Sequence, residues 1–191
     1  MSKVLVFNSI SLDGYFVDAS GSMRWAYTPV VDTEWNSFVE SNASGGGILV
    51  FGRVTFDLMA SYWPTPTAEK ANPVVAKRMT EHRKLVFSRS LKESAWKNTR
   101  IVNSDPAEEV RRLKDAPGND MAVLGSGSIV AQLCRAGLVD EYQFVLVPIV
   151  LGGGRTMFDG IKEKVPLERV SSRTFQNGNV VLSYKPAATK Q

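Results

Sequence analysis

The sequence predicts an α/β domain in which a mostly parallel central sheet is flanked by helices and ends in an antiparallel pair of strands. Two observations predict this class. Short apolar runs typical of buried strands alternate with helix-like segments along most of the chain, as they do in proteins with parallel sheets. Near the C-terminus, Asn177-Gly178 separates two strand-like runs, which is the strongest short signal for a hairpin. We expect one domain over residues 1–186 and a disordered tail at 187–191.

Eight apolar segments are predicted to form the strands. The first is too uniformly apolar for a sheet edge, whereas Pro148 in the sixth indicates an edge position or a bulge. The segments are 3–10, 48–51, 84–88, 99–103, 121–124, 141–150, 167–175 and 180–185. Because ligands of such sheets bind beyond the carboxyl ends of the strands, the loops after the first, second, third and fifth segments should converge on one cleft.

Helices are predicted between these strands. One start is marked by Asp105 as N-cap, Pro106 as the first helical residue and Glu108 as the third. The other helical segments are 32–42, a helix that opens at 52–57, 73–82 and 128–136. Residues 11–27 and 64–66 are predicted to lie in loops.

Composition restricts the classes of function. The net charge is +4, but the basic residues are scattered and not clustered as on a surface that binds nucleic acid or lipid. A mild positive field suits an anionic small molecule, although a solvated surface explains the charge equally well. Cys134 and His82 are the only residues of their types, so no Cys/His cluster is available for a metal. We expect a cytoplasmic protein with a small-molecule partner, and no metal, nucleic-acid or membrane partner.

The most informative segment is the glycine-rich turn Gly125-Ser126-Gly127-Ser128, between a buried strand and an amphipathic helix. A helix N-terminus directs N–H groups and a positive dipole end at a bound phosphate, and glycine lets the phosphate approach the backbone. The turn therefore predicts a phosphorylated cofactor. Strand–helix crossovers also carry such glycines for steric reasons alone, so this alternative stays open.

Two further strand ends carry groups suited to phosphate. Gly52, Arg53 and Thr55 follow the second strand, and Ser88 and Arg89 follow the third. The planar guanidinium of Arg89 suits a 2′-phosphate, because it can donate two parallel hydrogen bonds. Each arginine alone is better explained as a solvated surface residue, but three such strand ends together favour a phosphate site.

Carboxylates near the first strand are candidates for chemistry on a substrate. A hydride-transfer site needs an apolar wall and a polar group that orients or protonates the substrate. Trp25 could belong to the wall, and the available carboxylates are Asp13, Asp32 and Glu34. Structural roles compete with these, since Asp32 suits a helix N-cap and Asp13 suits a turn before Gly14.

Seven segments, in order over about residues 3–185, carry a resemblance to a known family. They are Ser11-Leu-Asp-Gly14, Gly21-Ser-Met-Arg-Trp25, Gly52-Arg-Val-Thr55, Leu85-Val-Phe-Ser-Arg89, Val123-Leu-Gly-Ser-Gly127, Ala136-Gly-Leu-Val-Asp-Glu141 and Pro148-Ile-Val-Leu-Gly-Gly153. These segments resemble the dihydrofolate-reductase-like family, and within it the reductase domain of the bifunctional riboflavin-biosynthesis deaminase/reductase and its stand-alone relatives. The resemblance implies an NADPH-dependent oxidoreductase that forms a homodimer, for which segment 141–150 could supply the interface.

The resemblance also implies roles for individual residues. Asp13 and Asp32 would be catalytic and, with Trp25, would lie beside the nicotinamide and the substrate. The residues implied in cofactor binding are Gly52, Arg53 and Thr55 for a phosphate, Ser88 and Arg89 for the adenosine 2′-phosphate, and Gly125, Ser126, Gly127, Ser128 and Ile129 for the pyrophosphate. Dihydrofolate reductases place a cis peptide in their glycine turn, which predicts a cis bond between Gly125 and Ser126.

Two departures from the riboflavin enzymes leave the substrate open. Their loop of the type Asp-Asp-Pro-x-Leu-x-x-Arg, which serves a phosphoribosyl group, is replaced here by Leu58-Met-Ala-Ser-Tyr-Trp-Pro64, and their zinc deaminase domain has no counterpart. The ribosylamino-pyrimidine of riboflavin biosynthesis ranks first as substrate, dihydrofolate second and another small heterocycle or carbonyl compound third. A nucleotide-binding module without catalysis is the alternative from a different class.

Overall fold

A computed structural model of the protein describes residues 1–27, 32–45, 47–117 and 120–188. In chain order its strands are β1 (Val4–Ser11), β2 (Tyr15–Asp18), β3 (Ile48–Gly52), β4 (Arg83–Phe87), β5 (Thr99–Val102), β6 (Met121–Leu124), β7 (Glu141–Val147), β8 (Gly154–Thr156), β9 (Leu167–Thr174) and β10 (Val180–Pro186). The helices are α1 (Thr33–Ser44), α2 (Arg53–Ala60), α3 (Pro66–Ala71), α4 (Pro73–Glu81), α5 (Pro106–Asp115) and α6 (Gly127–Arg135), with a short 3₁₀ turn at Arg24–Ala26.

Eight strands form one sheet in the order β5-β4-β3-β6-β1-β7-β10-β9, and β2 pairs with β8 in a small antiparallel sheet. All neighbours from β5 to β7 are parallel, whereas β10 is antiparallel to both β7 and β9. The predicted α/β class, a mostly parallel sheet with an antiparallel C-terminal hairpin, is confirmed.

Apolar side chains bury both faces of the sheet. On one face, residues of α5 and α6 pack on β1, β3, β4 and β6. On the other face, α2 and α4 cover the β3–β4 half and α1 covers the half around β7 and β10. Residues 48–51 of β3 are buried on both faces, and β1 and β6 alternate buried with half-buried residues, so the apolar runs 4–7, 48–51 and 121–124 were recognisable as interior strands.

Two predicted loops contain regular structure. Residues 11–27 hold β2 and the 3₁₀ turn, and β2 pairs with β8 from far along the chain. Residues 64–66 lead directly into α3, because the Thr65 hydroxyl accepts the Ala68 N–H as an N-cap and Pro66 takes the first helical position. The loop predictions were therefore wrong for 15–18, 24–26 and Pro66, whereas the residues between these elements and Pro64 lie in turns and coil as expected.

The prediction for segment 141–150 was also wrong about its place in the sheet. β7 ends at Val147, just before Pro148, and lies between β1 and β10. Proline stops the strand without placing it at an edge. Both hydrogen-bonding sides of β7 are therefore occupied within the chain. At the C-terminus, the Ala187 N–H donates to the Pro166 carbonyl, while 189–191 lie outside the described residues.

The loops after β1, β3, β4 and β6 leave the same edge of the sheet, because these four strands are parallel and adjacent. We call this side of the sheet, where the parallel strands end, its carboxyl edge; that the four loops form one cleft there stays a prediction. Of the helices in the described ranges, none combines the length and apolar character needed to cross a membrane.

Candidate functional site

The turns after β3 and β6 are bound directly to each other at this carboxyl edge. The Gly52 N–H donates to Ser126 Oγ at 2.6 Å, and the Ser126 N–H donates to Thr55 Oγ1 at 3.0 Å. The two hydroxyl oxygens lie 3.1 Å apart, and both residues are buried. We call this unit the turn clasp, defined by Gly52, Thr55, Gly125 and Ser126.

The glycines of the turn clasp are required by contacts within the protein. A Cβ atom on Gly125 would lie 2.5 Å from Thr55 Cγ2, and one on Gly52 would lie 2.9 Å from Ser126 Oγ. The Gly125 N–H donates to Oδ1 of the buried Asn8. Close packing of the two turns thus explains these glycines whether or not a phosphate binds beside them.

The peptide bond between Gly125 and Ser126 is trans, as are all bonds in the described residues. The predicted cis bond was wrong. Instead, Gly125 and Ser126 both adopt left-handed conformations, with φ of +61° and +59°. Two successive left-handed residues reverse the chain here, and the hydrogen bonds of Ser126 in the turn clasp hold the second one in a conformation that a non-glycine residue rarely adopts.

The N-terminus of α6 begins at the turn clasp. Gly127 and Ser128 occupy its first turn, where backbone N–H groups have no partner inside the helix. Ser128 is exposed, whereas Gly127 and Ile129 are buried. Ser128 is therefore the one exposed residue of the predicted pyrophosphate segment 125–129, and Ile129 belongs to the core, with its N–H bonded to the Ser126 carbonyl.

The two candidate arginines differ in their surroundings. Arg89 follows β4 and is exposed, and the preceding Ser88 hydroxyl accepts the N–H groups of Ser90 and Leu91. Arg53 forms an ion pair with Asp57 one turn along α2, at 3.0 Å, with both side chains about half exposed. A surface pair of this kind is weak and would yield readily to a phosphate.

Asp13 connects the loops that follow β1 and β7. Its carboxylate accepts the Ser11 hydroxyl at 2.6 Å and the backbone N–H groups of Leu151 and Gly152. The Ser11 hydrogen bond, followed by those from Gly152 and Leu151, lowers the pKa of Asp13 to about 2. Asp13 is therefore an anion at neutral pH, anchored at the carboxyl edge beside β1.

Asp32 lies at the N-terminus of α1, where one oxygen accepts the Trp35 N–H at 2.9 Å and the other accepts the Asn177 N–H at 3.1 Å. The side chain is 4% exposed. The hydrogen bond from Trp35, helped by that from Asn177, lowers the pKa of Asp32 despite its burial. Glu34 instead forms an exposed ion pair with Arg173 at 2.7 Å.

Trp25 lies in the 3₁₀ turn and packs against the apolar cluster shared by α1, β7 and β10. Its indole Nε1 is buried, and no partner for it lies in the described ranges. The structure thus places Trp25 and Asp32 on the face covered by α1, while Asp13 lies in the loop beyond β1.

Sequence reasoning missed Asn8 and Asn177. Asn8 is the first polar residue of β1 after four apolar ones, and this was the available signal for its hydrogen bond to the glycine turn. Asn177 was taken only as a hairpin residue, and its contact with Asp32 joins residues 145 positions apart, which no local pattern reveals.

The chain has the fold of the dihydrofolate-reductase-like class of α/β proteins. Dihydrofolate reductase from Enterococcus faecalis complexed with NADP(H) superposes with a TM-score of 0.64 at 16% identity, covering 97% of each chain. A deaminase/reductase from Thermotoga maritima superposes with a TM-score of 0.68 at 17% identity, covering 97% of this chain and 57% of that protein. A protein from Shewanella sp. PV-4 that is named as a riboflavin biosynthesis protein superposes with a TM-score of 0.73 at 21% identity, covering 97% of this chain and 99% of that one.

Sequence comparison gives the family within this class. The family described as the RibD C-terminal domain matches residues 2–181, and the chain belongs to it. The uncharacterized protein YyaP of Bacillus subtilis (strain 168) is 29% identical over 182 residues, which is 95% of this chain and 94% of YyaP. The resemblance on which the sequence-based expectations rest is therefore confirmed.

Proposed function

We propose that the protein is an NADPH-dependent reductase of the riboflavin-biosynthesis type, which transfers a hydride to a pyrimidine- or pteridine-like substrate. The observation that carries this proposal is the turn clasp at the carboxyl edge of the sheet. It sets the N-terminus of α6 beside the start of α2, with Arg89 exposed after the neighbouring strand. The Thermotoga maritima protein is named for a reductase of a phosphoribosylamino-uracil, which supports this substrate class.

The residues at this edge fit a dinucleotide phosphate group. Ser128, the exposed residue in the first turn of α6, offers its N–H and hydroxyl for the pyrophosphate, and Arg89 offers a guanidinium for a 2′-phosphate. Gly52, Thr55, Gly125 and Ser126 would act by holding the two turns together, because their polar groups already bind each other. Arg53 would exchange Asp57 for phosphate. When bound, NADPH supplies the hydride.

Asp13 and Asp32 would orient the substrate as anions. Both have lowered pKa values and accept N–H or hydroxyl hydrogen bonds, so at neutral pH neither holds a proton to donate. The proton that accompanies hydride transfer would then come from solvent, aligned by these carboxylates. Trp25 would form the apolar wall beside the substrate.

Three alternatives to this function are considered, two with another substrate and one without catalysis. Reduction of dihydrofolate is favoured by the likeness to the Enterococcus faecalis enzyme, and reduction of another small heterocycle by the apolar replacement at 58–64. A nucleotide-binding module without catalysis would bind NADPH and turn over none of these substrates.

The proposed cofactor is tested by titrating the protein with NADPH and NADH while following quenching of tryptophan fluorescence. We expect NADPH to bind, and Arg89→Ala to weaken NADPH by about tenfold or more while changing NADH little, because only NADPH carries the 2′-phosphate. Lys92→Ala, a nearby change of an exposed cation, is the matched control. Failure to bind either nucleotide would contradict the reductase proposal.

We also propose a cytoplasmic homodimer. The free, buried Cys134 suits a reducing compartment. β9 supports the dimer, because it is an edge strand with all eight of its residues exposed. Segment 141–150, which was expected to supply the interface, is less suited to this role, because both hydrogen-bonding sides of β7 are occupied within the chain.

A further inference from the structure

Arg155 is an exposed cation in the middle of β8. Its guanidinium carbon lies 5.9 Å from the centre of the Phe16 ring, on the partner strand β2. In the described ranges Arg155 belongs to no ion pair. Asp18, whose partner in the small sheet is the neighbouring Gly154, instead accepts the N–H and the hydroxyl of Ser20. A guanidinium that rests on an aromatic ring keeps its in-plane N–H donors available for an anion.

The ring beneath Arg155 packs against the first residue of α6. A Cβ atom on Gly127 would lie 3.1 Å from Cε1 of Phe16 and 3.2 Å from the carbonyl oxygen of Thr156 in β8. Phe16 is buried, so its position is fixed by the core around it. Only one aromatic ring therefore separates Arg155 from the helix end at which the pyrophosphate is proposed to bind.

A second contact ties β8 to the glycine turn through Asn8. Its Oδ1 accepts the Gly125 N–H, and its Nδ2 donates to Sδ of Met157, the residue after β8, at 3.7 Å. Asn8 and Met157 are both buried. Two separate contacts thus hold the strand that carries Arg155 beside the start of α6.

The order of the strands places Arg155 and Arg89 on opposite sides of α6. Along the carboxyl edge the sheet runs β4-β3-β6-β1-β7. Arg89 follows β4, α6 follows β6, and β2 and β8 belong to the loops that follow β1 and β7. A dinucleotide with its 2′-phosphate at Arg89 and its pyrophosphate at Ser128 therefore directs its nicotinamide half toward β1 and β7.

We propose that Arg155 is a further cofactor-binding residue, whose guanidinium pairs with the phosphate on the nicotinamide side of the pyrophosphate. An open cleft of about 490 Å³ between the turn 18–21 and Gly154 gives a ligand access to it. The planar guanidinium can donate two parallel hydrogen bonds to that phosphate. This inference rests on the proposed NADPH-dependent function and adds to it a second basic anchor, across α6 from Arg89.

Arg155→Met tests this role, because it removes the charge and keeps an unbranched, apolar stem that can rest on Phe16. Isothermal titration calorimetry compares NADPH with adenosine 2′,5′-bisphosphate, which lacks the phosphate on the nicotinamide side. We expect the variant to bind NADPH about tenfold or more weakly, and the bisphosphate within about twofold of wild type. Arg89→Ala should instead weaken both ligands, because both carry the 2′-phosphate.

Lys162→Met is the matched control, since it removes an exposed cation from the segment that follows β8. We expect its NADPH affinity to stay within about twofold of wild type. Equal weakening of NADPH by Lys162→Met and Arg155→Met would show an effect of overall charge, and would overturn the pairing of Arg155 with phosphate.

Salt dependence is a readout that a merely structural role of Arg155 would not change. The NADPH affinity of Arg155→Met should fall less steeply with added salt than that of the wild-type protein, because one ion pair is missing. An unchanged slope, unweakened NADPH binding, or equal weakening of the bisphosphate would overturn this inference and leave the reductase proposal intact. A wild-type protein that does not bind NADPH would overturn both.

Discussion

At the scale of single residues, Gly125 shows why the turn clasp tolerates little change. It combines a φ of +61° with a space that the Thr55 side chain already fills. A left-handed conformation alone costs a residue with a Cβ roughly 1–2 kcal/mol, whereas a clash with a buried neighbour adds to this by forcing the two turns apart.

We therefore expect Gly125→Ala to lower the free energy of unfolding by about 2–4 kcal/mol. Gly137→Ala is the matched control, because Gly137 has a similar φ of +64° and nothing within 4 Å of the position of its Cβ. It should cost about 1 kcal/mol. Urea denaturation measures both, and equal losses would mean that the contact with Thr55 is not important.

Asp13 and Asp32 show, again at the scale of single residues, that a carboxylate predicted to be catalytic can also stabilise the fold. Each carboxylate joins segments that are distant in sequence, through Leu151 for Asp13 and through Asn177 for Asp32. These contacts fix the carboxylates beside the edge where the proposed substrate binds, which is a requirement for an orienting group. Structural and functional roles are thus compatible at both positions.

At the scale of elements, α4, β4 and the turn before β5 are held together by Lys84. Its side chain is 1% exposed, and Nζ donates to the carbonyls of Thr80, His82 and Lys97 at 2.8–3.0 Å. The same group lies 4.4 Å from the centre of the Trp96 ring. Burial lowers the pKa of Lys84 to about 8, so the ammonium form predominates at neutral pH and can serve all three carbonyls.

Lys84→Met should lower the free energy of unfolding by about 2–4 kcal/mol, because three carbonyls lose their donor in a buried place. Lys77→Met changes an exposed lysine on α4 and should cost less than about 0.5 kcal/mol. NADPH affinity should change little in either variant, since Lys84 lies at the amino end of β4, opposite the proposed site. A loss no larger for Lys84 than for Lys77 would contradict this role.

The elements that the sequence predicted well are those determined locally. Asp105 and Pro106 start α5 as expected, with the Asp105 carboxylate accepting two backbone N–H groups, and Asn177-Gly178 forms the hairpin. The failures depend on distant partners. β2 exists because β8 pairs with it, and β7 is interior because β10 returns beside it.

The candidate site also combines features that depend on local sequence with features that depend on distant partners. The glycine turn and the strand ends were recognisable, because phosphate-suited residues at carboxyl ends of parallel strands converge in any sheet of this kind. The bond between the two turns could not be predicted, since it depends on β6 lying next to β3. The hydrogen bond between Asn177 and Asp32 could not be predicted either, since it requires the hairpin and the start of α1 to be placed together.

At the scale of the whole molecule, β9 is the surface that most needs a partner. An eight-residue edge strand presents unpaired N–H and C=O groups, and natural proteins cover such edges or protect them with charge. β9 carries both signs of charge. Consider β9 paired antiparallel with β9 of a second copy, with the two-fold axis between Val170 and Ser171. Glu168 of each copy would then face the partner's Arg173, so the two edges would be complementary in charge.

This arrangement predicts the effect of reversing charges. Glu168→Arg or Arg173→Glu alone should weaken dimerisation by about tenfold or more, because each sets like charges opposite one another twice across the two-fold axis. The double variant should restore the dimer. Arg169→Glu, which would face Ser172, is the control within the same strand, and analytical ultracentrifugation reports the association constant of each. This pairing would be excluded if the wild-type protein were monomeric, or if the double variant had an association constant no larger than those of the single variants. A dimer that still formed would then have to use a face of the sheet and not its edge.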